Sequence, residues 1–168
     1  LFLLFSWQAI RRKSALDPSF GALWAFIGVA VPLGLGIISF VEYGNLTRDW
    51  LHAAYGLAIA LVLLGGAYRL TLKREDGFTT PINIMLIGSF LAFVFIVHTL
   101  TSGLATTLLI PAIGFVYVLA TRRVSWTALP WAMVLACVFV LGRIAWEPTI
   151  VGPQNLGTTP VFNALLPG

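Results

Sequence analysis

Five long apolar runs dominate this chain: Phe20–Val41, Trp50–Leu70, Pro81–Leu100, Leu104–Thr121 and Thr127–Trp146. Crossing a hydrocarbon core of about 30 Å takes roughly 20 mostly apolar residues in a helix. Within lipid a segment must satisfy its own backbone N–H and C=O groups, which leaves helices and closed barrels. Barrel strands run about 9–11 residues and alternate in character, whereas these runs are long and continuous. The expected fold is all-α, a polytopic transmembrane helical bundle of five full spans. Residues 1–168 read as a single transmembrane region. Leu1–Ile10 reads as the end of a preceding span, being too short to cross alone. No initiator Met opens the chain, and no basic stretch followed by a small-residue cleavage site marks a signal peptide. The expectation is an internal fragment of a longer membrane protein.

Composition narrows the alternatives. Charged residues make up 10% and apolar ones 59%, against about 25% and roughly 45–50% in soluble domains. A soluble globular domain of this size needs more charge to cover its surface, and a disordered chain has fewer apolar residues. The lone Cys137 excludes an intrachain disulfide and reads as a buried, inert thiol. The net charge of +4 would fit a nucleic-acid partner, but the placement of the charges argues against one.

Those charges sit between the spans, and they alternate. Arg11, Arg12 and Lys13 precede the first span; Arg69, Lys73 and Arg74 follow the second; Arg122 and Arg123 follow the fourth. Only Arg48 and Arg143 fall on the other side. This is the positive-inside pattern. It places residues 11–19, 69–80 and 122–126 in the cytoplasm, and residues 42–49, 101–103 and 147–168 outside. The basic excess then meets anionic headgroups. Membrane lipids and further helices of the same full-length protein are the expected partners, with no nucleic acid.

Local signals support these boundaries. Asp17-Pro18-Ser19 and Thr79-Thr80-Pro81 pair a capping residue with a helix-starting proline. Trp24, Trp50, Trp126, Trp131 and Trp146 lie near span ends, as in an aromatic belt. Gly56/Ala60, Gly88/Ala92 and Ala132/Ala136 are spaced by four and suit close helix packing. Gly65-Gly66 sits low in the second span. Pro32, with Gly34 and Gly36, and Pro111 are the candidate kinks.

Chemistry is sparse. No Asp, Glu or Lys lies mid-span, where an ionisable group would be functional by default. The polar residues gather at the outer level: Glu42, Tyr43, Arg48, Asp49, His52, His98, Arg143 and Glu147. Arg143 and Glu147 share a helix face, and a guanidinium suits a phosphate or carboxylate. The plainer reading of Arg143 is an interfacial side chain snorkelling outward. His52 and His98 are candidates for an acid/base pair, or otherwise polar caps. No Ser–His–Asp order can be defended, and there is no HExxH, phosphate loop or CxxC. No catalytic residue, metal or cofactor is expected. The candidate ligand-binding set at the outer face is Arg143, Glu147, His52 and His98.

The tail carries a more distinctive phrase. Arg143…Glu147-Pro148-Thr149-Ile150-Val151-Gly152, then Gly157-Thr158-Thr159-Pro160-Val161-Phe162-Asn163, resembles the bacterial membrane protein family catalogued as domain of unknown function 2339. Members carry an "R…NPxIVG…GxTPxFNxLL" phrase between two spans. Here Glu147 stands where Asn is usual, and Pro167-Gly168 where an aromatic-glycine pair is usual. The phrase covers the last quarter of the chain; the earlier spans match in style. The resemblance implies a many-spanning protein of the bacterial inner membrane and supplies no activity, cofactor or catalytic residue.

Three readings follow. One is a helical membrane domain of a larger envelope protein. The second is a transporter or lipid-handling protein, with the Pro32–Gly36 stretch as its weak point. The third is a membrane-embedded enzyme acting on envelope lipid or glycan at the outer face, with a histidine as base.

Overall fold

The computed structural model describes residues 18–44, 48–72 and 79–146. Its elements are α1 (Pro18–Tyr43), α2 (Trp50–Thr71), α3 (Thr79–Leu100), α4 (Gly103–Ala120) and α5 (Leu129–Trp146). Every regular element among the described residues is helical. The helices run 18 to 26 residues, or about 27 to 39 Å at 1.5 Å per residue. All five are long and apolar enough to cross a membrane. The expected all-α bundle of five full spans is what the chain forms. Asp17, the 73–78 connection, Glu147 and the tail motif lie outside the described residues.

Successive helices run in opposite directions. Tyr43, Asp49, Leu100, Gly103 and Trp146 therefore lie at one end of the bundle, and Thr71, Thr79, Ala120 and Leu129 at the other. The central helix is α3, which packs on α1, α2, α4 and α5. Phe90, Leu86 and Ala92 of α3 are fully enclosed, and Leu70 and Ala60 of α2 complete the core beside them.

Small residues allow this packing. Gly56, Ala60, Gly88, Ala92, Ala132 and Ala136 are all buried. A Cβ on Gly88 would stand 2.5 Å from Val29 Cγ1, and one on Gly114 would stand 2.9 Å from the Ala136 Cβ. Association within lipid relies on such close approach. Nothing lies within 4 Å of a would-be Cβ on Gly65, so it is not an interface position. Cys137 departs from the expectation, because it is exposed on α5 rather than buried.

Neither candidate kink breaks its helix. Pro32 lies inside α1 and Pro111 inside α4, and both helices continue through them. Pro32 is buried, and its carbonyl accepts a hydrogen bond from the Tyr55 hydroxyl of α2 at 2.9 Å. Gly34 has open space around it, whereas Gly36 is pressed against the Tyr55 ring.

Polar side chains tie the two ends together. At the Thr71 end, Trp126 Nε1 donates to Thr71 Oγ1 at 2.8 Å, and Asn83 pairs with Thr127 at 2.9 Å. At the other end, Asp49 N donates to the Thr99 carbonyl, joining the start of α2 to the end of α3 at 3.1 Å. Much apolar surface faces outward, including Phe26, Leu61, Val116, Val138 and Leu141. A water-soluble monomer rarely exposes so much; a hydrocarbon environment accepts it without cost.

Candidate functional site

Asp49 begins the site. It lies in extended backbone before α2 and caps the helix, its Oδ1 accepting from Leu51 N at 2.8 Å and His52 N at 3.2 Å. Short acceptors are favoured there because the first helical amides lack partners. Its other oxygen, Oδ2, accepts from His52 Nδ1 at 2.6 Å. One carboxylate thus closes the helix start and holds the imidazole of its first turn.

His52 is buried and points from α2 toward α1. Its Nε2 lies 3.0 Å from Ser39 Oγ of α1. A carboxylate only accepts hydrogen bonds, so Nδ1 carries a proton. In the neutral ring Nε2 is then an acceptor, and the Ser39 hydroxyl donates to it. The three side chains form one relay, Ser39 to His52 to Asp49.

Asp49 has the charge this arrangement needs. The hydrogen bond from the His52 side chain holds its carboxyl below the ordinary 3.8, with the backbone amides of His52 and Leu51 adding, against an opposing desolvation. Asp49 is therefore ionised near neutrality.

The relay borders a groove between α1 and α2. The groove is about 460 Å³ and is lined by Leu35, Gly36, Ser39, Leu51, His52, Ala54 and Tyr55. Its lining is mostly apolar, and Ser39 and His52 are its hydrogen-bonding groups nearest Asp49. Gly36 shapes the floor by letting the Tyr55 ring lie against α1.

The other candidates do not join this site. The Phe40 ring stands beside both histidines, with centroids 5.5 Å from His52 and 6.5 Å from His98. Phe40 is buried and also packs edge-on against Phe95 at 5.9 Å. His98 is exposed at its own edge of α3. Arg143 reaches the other helix pair, its Nη2 donating to the Gly103 carbonyl at 3.4 Å. Glu147 lies outside the described residues, and with it the Arg143–Glu147 pair. Among the described residues no three His, Cys, Asp or Glu side chains gather closely enough to hold a metal ion.

Sequence reasoning singled out His52, placed Asp49 in the outer polar cluster without giving it a role, and passed over Ser39. Asp49 was visible as a cap three residues before a histidine, the spacing of an N-cap and its third helical residue. Ser39 had a fainter signal, a lone hydroxyl two residues from the end of the Phe20–Val41 run. Only the antiparallel pairing of α1 with α2 brings residues 39 and 52 to the same level.

Fold and site together define a class: a helical bundle of the multi-pass membrane type, carrying a hydrogen-bonded polar relay at one end. No family model, curated protein or solved structure matches the chain, so comparison does not refine that class.

Proposed function

We propose that this chain is a membrane-spanning domain that holds a lipid acyl chain in the groove between α1 and α2. The groove itself carries the reading. Leu35, Gly36, Leu51, Ala54 and Tyr55 offer an acyl chain an apolar wall, and Ser39 with His52 offers hydrogen bonds to an ester or headgroup at one end. Ligand sites of this kind are mostly apolar, with few convergent polar groups.

The wider setting follows the same reading. The membrane is the bacterial inner membrane, and the protein is a larger envelope protein of the family catalogued as domain of unknown function 2339. Arg69, Arg122 and Arg123 lie at the end opposite His52 and Arg143, which supports a cytoplasmic location for them and an outward one for the groove. The exposed faces of α1 and α5 are where membrane lipids and further helices of the full-length protein pack.

Photo-crosslinking tests the groove. The intact protein is reconstituted in vesicles of phosphatidylethanolamine and phosphatidylglycerol, with a phosphatidylethanolamine carrying a diazirine on its acyl chain. Crosslinks are expected to concentrate on Leu35, Leu51 and Ala54, and to be lost there in Ala54→Trp, which fills the groove. Crosslinks spread evenly over all exposed faces would overturn the reading. A second reading, a purely structural helical domain, is favoured by the hydrogen bonds of Arg143 and His52 going to different partners, Gly103 for one and Asp49 with Ser39 for the other; that even spread would support it.

A further inference from the structure

From the relay we infer that Ser39 is a nucleophile, activated by His52 and positioned through Asp49, that cleaves the acyl ester of a lipid held in the α1–α2 groove. The inference rests on the groove reading for its substrate and on separate geometry for its chemistry.

That geometry has three parts. Ser39 Oγ is within 3.0 Å of His52 Nε2, inside the reach a general base needs. His52 Nδ1 is 2.6 Å from Asp49 Oδ2, which fixes the ring tautomer so that the Nε2 lone pair faces the hydroxyl. Asp49 is itself immobilised by two backbone amides. Nucleophile, base and orienting group are the elements of a serine acyl-transfer site, which is recognised by geometry and roles rather than by chain order. Ser39 also lines the groove, so a bound ester has access to it.

The reaction balances with water as the only co-reactant. The Ser39 oxygen bonds to the ester carbonyl carbon, and its proton passes to His52 Nε2. The ester C–O bond then breaks, and the departing alcohol takes that proton. Water next attacks the acyl-Ser39 carbonyl, giving a proton to Nε2. As the bond to Ser39 breaks, the proton returns to Oγ and a carboxylic acid leaves. Asp49 stays ionised and stabilises the imidazolium formed along the way. The groove end nearest Asp49 adjoins the interface, where water is present.

An alternative use of the same atoms is a clamp between α1 and α2. A clamp needs no reactivity, so reactivity separates the two. The intact protein in lipid vesicles is treated with a long-chain alkyl fluorophosphonate, and the labelled residue is mapped by peptide mass. Label is expected on Ser39, absent in Ser39→Ala, and slowed on the order of a hundredfold in His52→Ala. Asp49→Asn retains a capping side chain, and it is expected to slow labelling at least about tenfold while leaving acyl-chain crosslinking in place. Wild-type labelling no faster than Ser39→Ala, or label mapping elsewhere, would overturn the inference. Should Ser39→Ala fail to fold, Ser39→Cys supplies the check: N-ethylmaleimide is expected to alkylate it faster with His52 present than in the His52→Ala background, and equal rates overturn the inference. An unlabelled Ser39 in a groove that still crosslinks lipid sinks this inference alone, whereas loss of the crosslinks sinks the groove reading.

Discussion

The Tyr55 hydroxyl donates to the Pro32 carbonyl at 2.9 Å, joining α2 to the middle of α1. Proline removes one helical N–H, so this turn of α1 holds fewer internal bonds than its neighbours. The ring seats against Gly36, where a Cβ would lie 2.7 Å from Tyr55 Cε1. Tyr55→Phe keeps the ring and removes one bond, with an expected cost of about 0.5–1.5 kcal/mol. Gly36→Ala displaces the ring and is expected to cost about 1–3 kcal/mol. Unfolding in detergent measures both, and a neutral Gly36→Ala would show that Tyr55 does not seat on α1.

The glycines are expected to fall into three groups. Gly114→Ala meets Met133 Cα at 3.2 Å and the Ala136 Cβ at 2.9 Å, neither of which is the end of a flexible chain. Its cost should be about 1–3 kcal/mol through α4–α5 separation. Gly65→Ala meets nothing within 4 Å and should be neutral or gain up to about 1 kcal/mol from helix propensity. Gly103 also has open space, but its φ is +60°, so Ala there should cost about 1–2 kcal/mol from backbone strain alone. Equal melting temperatures across the set would contradict the packing described.

Acid should weaken the α1–α2 end through Asp49. Its folded carboxyl lies below the ordinary 3.8, chiefly through the His52 side-chain hydrogen bond. A depressed carboxylate stabilises the fold above its unfolded pKa, and that contribution disappears as pH falls through the folded value. Thermal melts from pH 7 down to pH 3 should show a loss of stability that Asp49→Asn reduces, since Asn keeps the cap without the charge. An unchanged pH profile in the variant would remove Asp49 from the account.

At the opposite end, Trp126 Nε1 donates to Thr71 Oγ1, while Thr71 Oγ1 donates to the Ala67 carbonyl at 2.9 Å. This links the end of α2 to the α4–α5 connection. Trp126→Phe and Thr71→Ala should each destabilise, and their double variant should cost less than the two summed. The coupling expected in a membrane bundle is about 0.6 kcal/mol. Strict additivity would mean the two side chains do not interact.

Particular residues mark how far the linear pattern could be read. The spans were legible because hydrocarbon forces backbone groups to pair within a segment, so uninterrupted apolar length translates directly into helix. The paired small residues Gly56/Ala60, Gly88/Ala92 and Ala132/Ala136 were legible for a related reason: close approach admits little else. Cys137 was misread because an apolar span has no clear hydrophobic face. Its lipid-facing and bundle-facing residues are equally apolar, so the rotation of each helix is not written in its periodicity. Pro32 and Pro111 marked bonds that must be missing, without telling that α1 and α4 continue through them.

The site divides the same way. His52 stood out as a titratable group near a span end, and Asp49 stood before it in the position of a cap. That pair is local, separated by one helical turn, and local geometry follows from the chain itself. Ser39 and the groove are not local. They depend on the antiparallel docking of α1 on α2 and on Gly36 admitting the Tyr55 ring. The packing of Phe40 against both His52 and His98 likewise depends on α1 docking on α2 and α3. What the sequence determined alone was the number of helices, their length and the level at which polar groups gather, because hydrophobic length and the pairing of backbone groups act within one segment. Which of those polar groups meet was decided by tertiary packing, because rotation and helix partners are set by shape complementarity between segments.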